Sequence, residues 1–159
     1  MNLINGRSLH QGRLLFLIST GFLILCLECG KKAPPVAPHT RVPRAVNDLK
    51  AEVVGDEVQL IWSMPKKANA VFEGLEYFRL YKHRWHRSVE MCSGCPIPFE
   101  DYLDIKLDDP KPARVEGDRI VYNEKIEPDH RYAYKVVAYH ESGGASKDSN
   151  IVRFETNAN

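Results

Sequence analysis

The stretch IEPDHRYAYKVVAYHESGGAS at 126–146 carries the strongest structural signal in the sequence. It opens with Pro128 and Asp129, a pair typical of turns, and continues with a segment whose hydrophobicity alternates with a period of two, as in a half-buried strand. Tyr132 stands just after the turn, where its ring can pack inward while its hydroxyl reaches back to an upstream backbone group. We therefore interpret 131–140 as a strand and give Tyr132 a structural role.

The same period of two recurs on both sides of this stretch. Five further segments show it, at 48–55, 57–62, 76–82, 119–126 and 150–156. Between the first two, Gly55 and Asp56 form a hairpin turn signal. DYLDIKL at 101–107 is expected to supply one more strand, with Tyr102 or Leu103 facing inward. The chain is therefore predicted to be all-β, a two-sheet sandwich of about seven strands.

From about residue 42 to 157 the sequence resembles a fibronectin type III domain. Such domains open with a proline before the first strand, as in VPRAVNDLKAEV, and place a tryptophan late in the second strand, as in VQLIWSMP. A strand of the type FRLYK follows. The family segment Leu-x-Pro-x-Thr-x-Tyr-x-x-x-Val-x-Ala is matched at Ile126, Pro128, Tyr132, Val136 and Ala138, with His130 in place of the usual threonine. The resemblance implies an immunoglobulin-like β-sandwich over 44–157, with Trp62 and Tyr132 in its core.

The first 28 residues are typical of an export signal. Arg7 and Arg13 precede an apolar run at 14–27, which stops at Glu28. The run is shorter than the roughly 20 residues that span a bilayer and fits the about 7–15 residues of a signal peptide. We predict a signal peptide at 1–28, and the alternative is an uncleaved, slightly short membrane anchor.

Two cysteines at the end of this run make it resemble the signal peptide of a bacterial lipoprotein, in which one cysteine is acylated. CGKKAPPVAP, which begins at Cys29, is similar to the start of many mature bacterial lipoproteins. This favours Cys29 over Cys26 as the lipidated residue, although Leu25 and Glu28 stand where such signals have a small residue. The resemblance implies a lipid-anchored protein of the cell envelope, in the outer membrane of a Gram-negative bacterium.

A proline-rich tether is expected at 29–43. The segment contains Pro34, Pro35, Pro38 and Pro43 and shows no hydrophobic periodicity. Such a composition favours an extended, semi-rigid polyproline-like chain. Fully extended at about 3.1 Å per residue, residues 31–43 of the tether would hold the domain roughly 40 Å from its lipid anchor.

The connection at 83–118 is longer than a domain of this kind needs, and we interpret it as a cysteine-containing insertion. Three interpretations of its Cys92 and Cys95 compete. A disulfide is favoured because the bacterial envelope is oxidising. Redox catalysis would need a helix start that the proline-rich sequel disfavours. A zinc site would use His83, His86 and both cysteines. Our first expectation is that the protein binds neither a metal nor another cofactor.

Apolar and aromatic side chains are unusually frequent in this insertion for a loop. They are Trp85, Ile97, Phe99 and Tyr102. Either they fold back as a small satellite core over an edge of the sandwich, or they form a patch that binds a partner. The sequence leaves both interpretations open.

Charge and motif content indicate a binding protein more than an enzyme. The chain has 22 Lys and Arg against 21 Asp and Glu, so it has no strong field to attract nucleic acid. Its sequence contains no catalytic constellation and no phosphate-binding glycine loop. We predict a non-enzymatic, membrane-anchored envelope lipoprotein that acts as a structural module or binds an envelope protein or polysaccharide. The alternative is a metal- or redox-active envelope protein that uses Cys92 and Cys95.

Overall fold

The computed structural model describes residues 40–90, 92 and 94–157. The predicted signal peptide at 1–28, both candidate lipidated cysteines, Cys26 and Cys29, and most of the tether lie outside the described residues. Within the described part of the chain, no helix is long and apolar enough to cross a membrane.

Two antiparallel sheets of four strands each form the domain, which confirms the predicted all-β, two-sheet sandwich. In chain order the strands are β1 (Lys50–Val54), β2 (Glu57–Ser63), β3 (Lys66–Lys67), β4 (Ala70–Val71), β5 (Leu75–His86), β6 (Asp101–Lys106), β7 (Arg114–Glu116), β8 (Arg119–Lys125), β9 (His130–His140) and β10 (Val152–Glu155). The first sheet has the order β1-β2-β8-β7 and the second the order β10-β9-β5-β6. The two short strands β3 and β4 form a separate hairpin.

The predicted strands are present, and three short ones were not predicted. The strand expected at 101–107 is β6, where Leu103 packs against the core and Tyr102 points outward, 60% exposed. β7 lies within the predicted insertion at 83–118. β3, β4 and β7 are only two or three residues long, too short for a period of two to be visible.

The core lies between the two sheets and is centred on Trp62. This side chain is 1% exposed, and its ring meets that of Phe78 edge to face at 5.7 Å between centroids. The geometry suits the aromatic quadrupoles. Trp62 belongs to the first sheet and Phe78 to the second, so this contact joins the two layers.

Tyr132 ties the turn before β9 to the core. Its hydroxyl accepts a hydrogen bond of 2.8 Å from the backbone N–H of Glu127, five residues upstream. Its ring, 1% exposed, stacks with Phe154 of β10 at 5.3 Å between centroids. The ring therefore packs in the interior while the hydroxyl fixes the preceding turn, the tyrosine-corner arrangement.

Tyr132→Phe should lower the free energy of unfolding by about 1–2 kcal/mol, because the Glu127 N–H loses its acceptor while the ring contacts remain. Urea unfolding of the full chain in detergent, followed by near-ultraviolet circular dichroism, measures this change. Tyr102→Phe is the matched control, since Tyr102 is 60% exposed. Equal stability of the two variants would show that the Tyr132 hydrogen bond contributes nothing.

Candidate functional site

The chain enters the domain at one end of the sandwich. The backbone N–H of Arg41 donates a hydrogen bond of 3.1 Å to the hydroxyl of Ser142, just after β9 ends. A Cβ at Gly144 would lie 2.0 Å from the Arg41 carbonyl oxygen, so this close approach requires glycine. The loop that carries the two cysteines begins after His86, which pairs with His130 at the other end of β9. The eleven residues of β9 separate the two ends by about 35 Å.

The outer surface of the second sheet carries a stripe of aromatic and charged side chains. Strand alternation turns Phe78 and Leu80 inward and their odd-numbered neighbours on β5 outward. We call this surface the aromatic face. It consists of Tyr77, Arg79, Tyr81, His83 and Trp85 on β5, Tyr102, Asp104 and Lys106 on β6, Arg131, Lys135 and Tyr139 on β9, and Arg153 and Glu155 on β10, together with Phe99 of the cysteine-containing loop.

Arg79 occupies the middle of one half of the aromatic face. Its Nε and one terminal nitrogen donate hydrogen bonds of 2.6 and 2.8 Å to the two oxygens of Asp104 on β6. The guanidinium also lies 4.4 Å from the ring centroid of Tyr102 and 5.3 Å from that of Tyr139. Hydrogen bonding to Asp104 raises the pKa of Arg79 above its usual range. The charge and the rings are therefore held in one fixed arrangement.

Two tyrosines stack beside this arginine. The rings of Tyr77 and Tyr139 are 4.5 Å apart between centroids and inclined by only 6°. They belong to neighbouring strands and face each other directly in the register. Burial raises the pKa of both hydroxyls above the usual tyrosine value. Both hydroxyls are protonated at neutral pH, as tyrosine hydroxyls ordinarily are; that of Tyr139 is hydrogen-bonded with Tyr81, and that of Tyr77 can donate a further hydrogen bond.

The cysteine-containing loop at 87–100 contributes to the aromatic face. Cys92 and Cys95 form a disulfide with their Cα atoms 5.4 Å apart. Farther along the loop, the Phe99 ring meets the Tyr81 ring at 6.4 Å between centroids, and the Lys135 ammonium lies 4.7 Å from the Phe99 ring centroid. The irregular part of the predicted insertion is thus shorter than 83–118, because β5 extends to His86 and β6 begins at Asp101.

The four candidate interaction residues divide by exposure. Trp85, Ile97 and Phe99 are half-buried, and the Trp85 ring stacks on that of His83 at 5.2 Å between centroids. Tyr102 is 60% exposed. Phe99 and Tyr102 each contact the Tyr81 ring, whereas Trp85 contacts His83 farther along β5.

The residues of the alternative zinc site are not brought together. His83 lies on the aromatic face and stacks on Trp85, whereas His86 lies on the opposite side of β5, with Nε2 3.1 Å from Oδ2 of Asp129. Cys92 and Cys95 are joined to each other. Within the part of the chain that the structure describes, no group of three or more His, Cys, Asp or Glu side chains is placed to hold a metal ion.

Beyond the apolar core, ion pairs join the two layers of the sandwich. Lys82 pairs with Glu124 on β8, and Arg84 pairs with Glu127 in the turn before β9. The hydroxyl of Tyr134, which is fully buried, donates a hydrogen bond of 3.1 Å to Glu124. Burial and the nearby Glu124 carboxylate raise the pKa of Tyr134. Lys82, Glu124 and Tyr134 therefore interact between the two sheets. The side chains on the opposite side of β5 form the outer surface of the second sheet.

Comparison with known proteins agrees with this architecture. No protein-family model matches the chain, and no curated protein matches it. Among solved structures, the third fibronectin III domain of the human KIAA0343 protein matches with a TM-score of 0.54 and 16% identity, over 82% of this chain and 95% of that one. The fold is fibronectin type III-like. The fibronectin type-III domain of human fibronectin type III domain containing protein 3 matches with a TM-score of 0.43 and 20% identity, over 82% of this chain and 94% of that one. At sequence identities this low, the matches show similarity of fold alone.

Sequence reasoning missed most of the polar members of the aromatic face on this fibronectin type III-like domain. Arg79, Lys135 and Tyr139 were assigned no role, although the alternation in EYFRLYK already placed Tyr77, Arg79 and Tyr81 opposite the core residues. The signal was present in the sequence. Its significance depends on neighbours from other strands, which only the register reveals.

Replacing both Cys92 and Cys95 with Ser should affect the loop more than the domain. The disulfide closes a loop with a sequence separation of only 3, so its loss should cost no more than about 2 kcal/mol of unfolding free energy. By comparison, Trp62→Ala should cost about 3–5 kcal/mol. Urea unfolding gives both values, and limited proteolysis with mass spectrometry should show faster cleavage at 87–100 in the double variant. A cost equal to that of Trp62→Ala would contradict this assignment.

Proposed function

We propose that the chain is a non-enzymatic, membrane-anchored protein of the bacterial cell envelope that binds an envelope partner through its aromatic face. The observation that carries this proposal is the continuous outward stripe of rings and cations, with Tyr102 60% exposed at its side. Aromatic residues and arginine are the side chains that most often dominate the binding energy of interfaces. Arg79 is held in place by Asp104, so a partner meets a preorganised surface.

The position of the chain entry supports the same proposal. Residue 41 contacts the end of the sandwich that holds Ser142 and Gly144. The face continues along β5 to Trp85, near the opposite end. A lipid at Cys29 followed by the proline-rich tether would attach the domain at the first end. The distal half of the aromatic face would then lie farthest along the domain from its attachment.

Anchoring through Cys29 is tested by metabolic labelling with radioactive palmitate in a bacterial host. Cys29→Ala should abolish the label and release the protein from the membrane fraction, because two acyl chains are what stable anchoring takes. Cys26→Ala should keep both the label and the membrane association. Label retained by Cys29→Ala and lost by Cys26→Ala would assign the anchor to Cys26.

Binding through the aromatic face is tested by placing a photo-crosslinking amino acid at position 102 of the full chain in bacterial envelopes. The control position is 52, where Glu52 is exposed on β1 of the other sheet. A discrete adduct should form at position 102 and not at position 52, because only the first lies on the proposed surface. Arg79→Ala in the same background should reduce the adduct, since it removes the guanidinium that lies against the side chain at position 102. No adduct at 102, or equal adducts at both positions, would contradict the proposal.

A further inference from the structure

The half of the aromatic face that lies level with Tyr81 to Trp85 of β5 is positively charged. Over the whole face, five outward side chains of the sheet carry a positive charge, against the two carboxylates Asp104 and Glu155. The cations are Arg79, Lys106, Arg131, Lys135 and Arg153. Asp104 is paired with Arg79 outside this half. The half itself contains the three cations of β9 and β10 and two carboxylates, Glu155 and Asp148, of which Asp148 contacts Lys135 at 2.8 Å. The excess positive charge here favours an anionic ligand.

A shallow depression in this half combines an aromatic wall with an available cation. It has a volume of about 260 Å³ and is lined by Trp85, Arg131, Tyr132, Arg153, Phe154 and Glu155. Arg131 is engaged by Glu155 at 3.2 Å. Arg153 is exposed and makes no ion pair with any residue that the structure describes. A negative group entering the depression would therefore find one guanidinium not already neutralised.

The shape and composition of the face favour a sugar polymer over a protein. Along β5 the stripe from Tyr77 to Trp85 measures about 26 Å, long enough for several sugar units in a row. Sugar rings present apolar C–H faces to aromatic rings and hydroxyls to charged groups, and this face supplies both. Its one large exposed hydrophobic side chain among the described residues is Tyr102, whereas the core of a protein interface is more apolar.

Building on the proposed binding function, we propose that the aromatic face binds an acidic polysaccharide laid along β5, with an acidic group of one sugar paired to Arg153 beside the Trp85 ring. The remaining rings, those of Tyr81, Phe99 and Tyr102, then support neighbouring sugars. The protonated hydroxyl of Tyr77 supplies a hydrogen-bond donor at the other end of the stripe from Trp85.

The test measures binding of the full chain in detergent to three defined polymers by isothermal titration calorimetry. They are polygalacturonate as the acidic polysaccharide, dextran as a neutral one, and polyglutamate as an acidic peptide. Polygalacturonate should bind at least about tenfold more tightly than either other polymer. Arg153→Gln should weaken its binding about tenfold, the loss expected for one charge-assisted hydrogen bond. Arg119→Gln, an exposed arginine on β8 of the other sheet, is the matched control and should bind as the unaltered chain does.

Each contrary outcome has a distinct meaning. Equal binding of dextran would overturn the role of the acidic group, and equal binding of polyglutamate would make the ligand an acidic peptide. Equal losses in Arg153→Gln and Arg119→Gln would show attraction by overall charge without a site. Failure of all three polymers, with the adduct at position 102 still formed, would overturn the polysaccharide and leave the binding function standing. Loss of that adduct as well would remove both proposals.

Discussion

The antiparallel pairing of β5 with β9 is the constraint on which both the core and the candidate face depend. The two strands pair along almost their whole length, from Leu75 opposite His140 to His86 opposite His130. Successive side chains of a strand point to opposite faces, so one pairing buries Phe78 and aligns Tyr77 with Tyr139 on the outside. A slip of one residue would exchange the two sets, and burial of the apolar set excludes it.

The same alternation separates two kinds of ion pair along β5. Lys82 pairs with Glu124 on β8 of the other layer, and Arg84, on the same side of β5, pairs with Glu127 in the turn before β9. Arg79 points outward and is bound by Asp104 of the neighbouring strand. It is therefore fixed in place without joining the layers. Lys82 thus contributes to packing between the sheets, whereas Arg79 contributes to the outer surface.

More of the fold than of the candidate site could be predicted from the sequence. The period of two and the positions of Trp62 and Tyr132 gave the class, most strands and the core centre, because these depend on local alternation and burial. The candidate site depends on register. Asp104 and Tyr139 meet Arg79 from strands distant in sequence, so no local pattern could identify that cluster. Tyr102 was predicted as a candidate, but its outward direction was decided by Leu103, which takes the core position on β6.

A shallow surface suits the proposed role of a tethered binding protein. The depression beside Trp85 is about 260 Å³, at or below the small end of the range for sites that enclose a small ligand, so a single sugar would gain limited contact there. A polymer offers the same chemical group repeatedly along its length. On the proposed lipid anchor, many copies of the domain would share one membrane, so successive contacts with one polymer would become effectively intramolecular. Overall attachment could then be strong while each contact, centred on an exposed Arg153, stays weak and reversible.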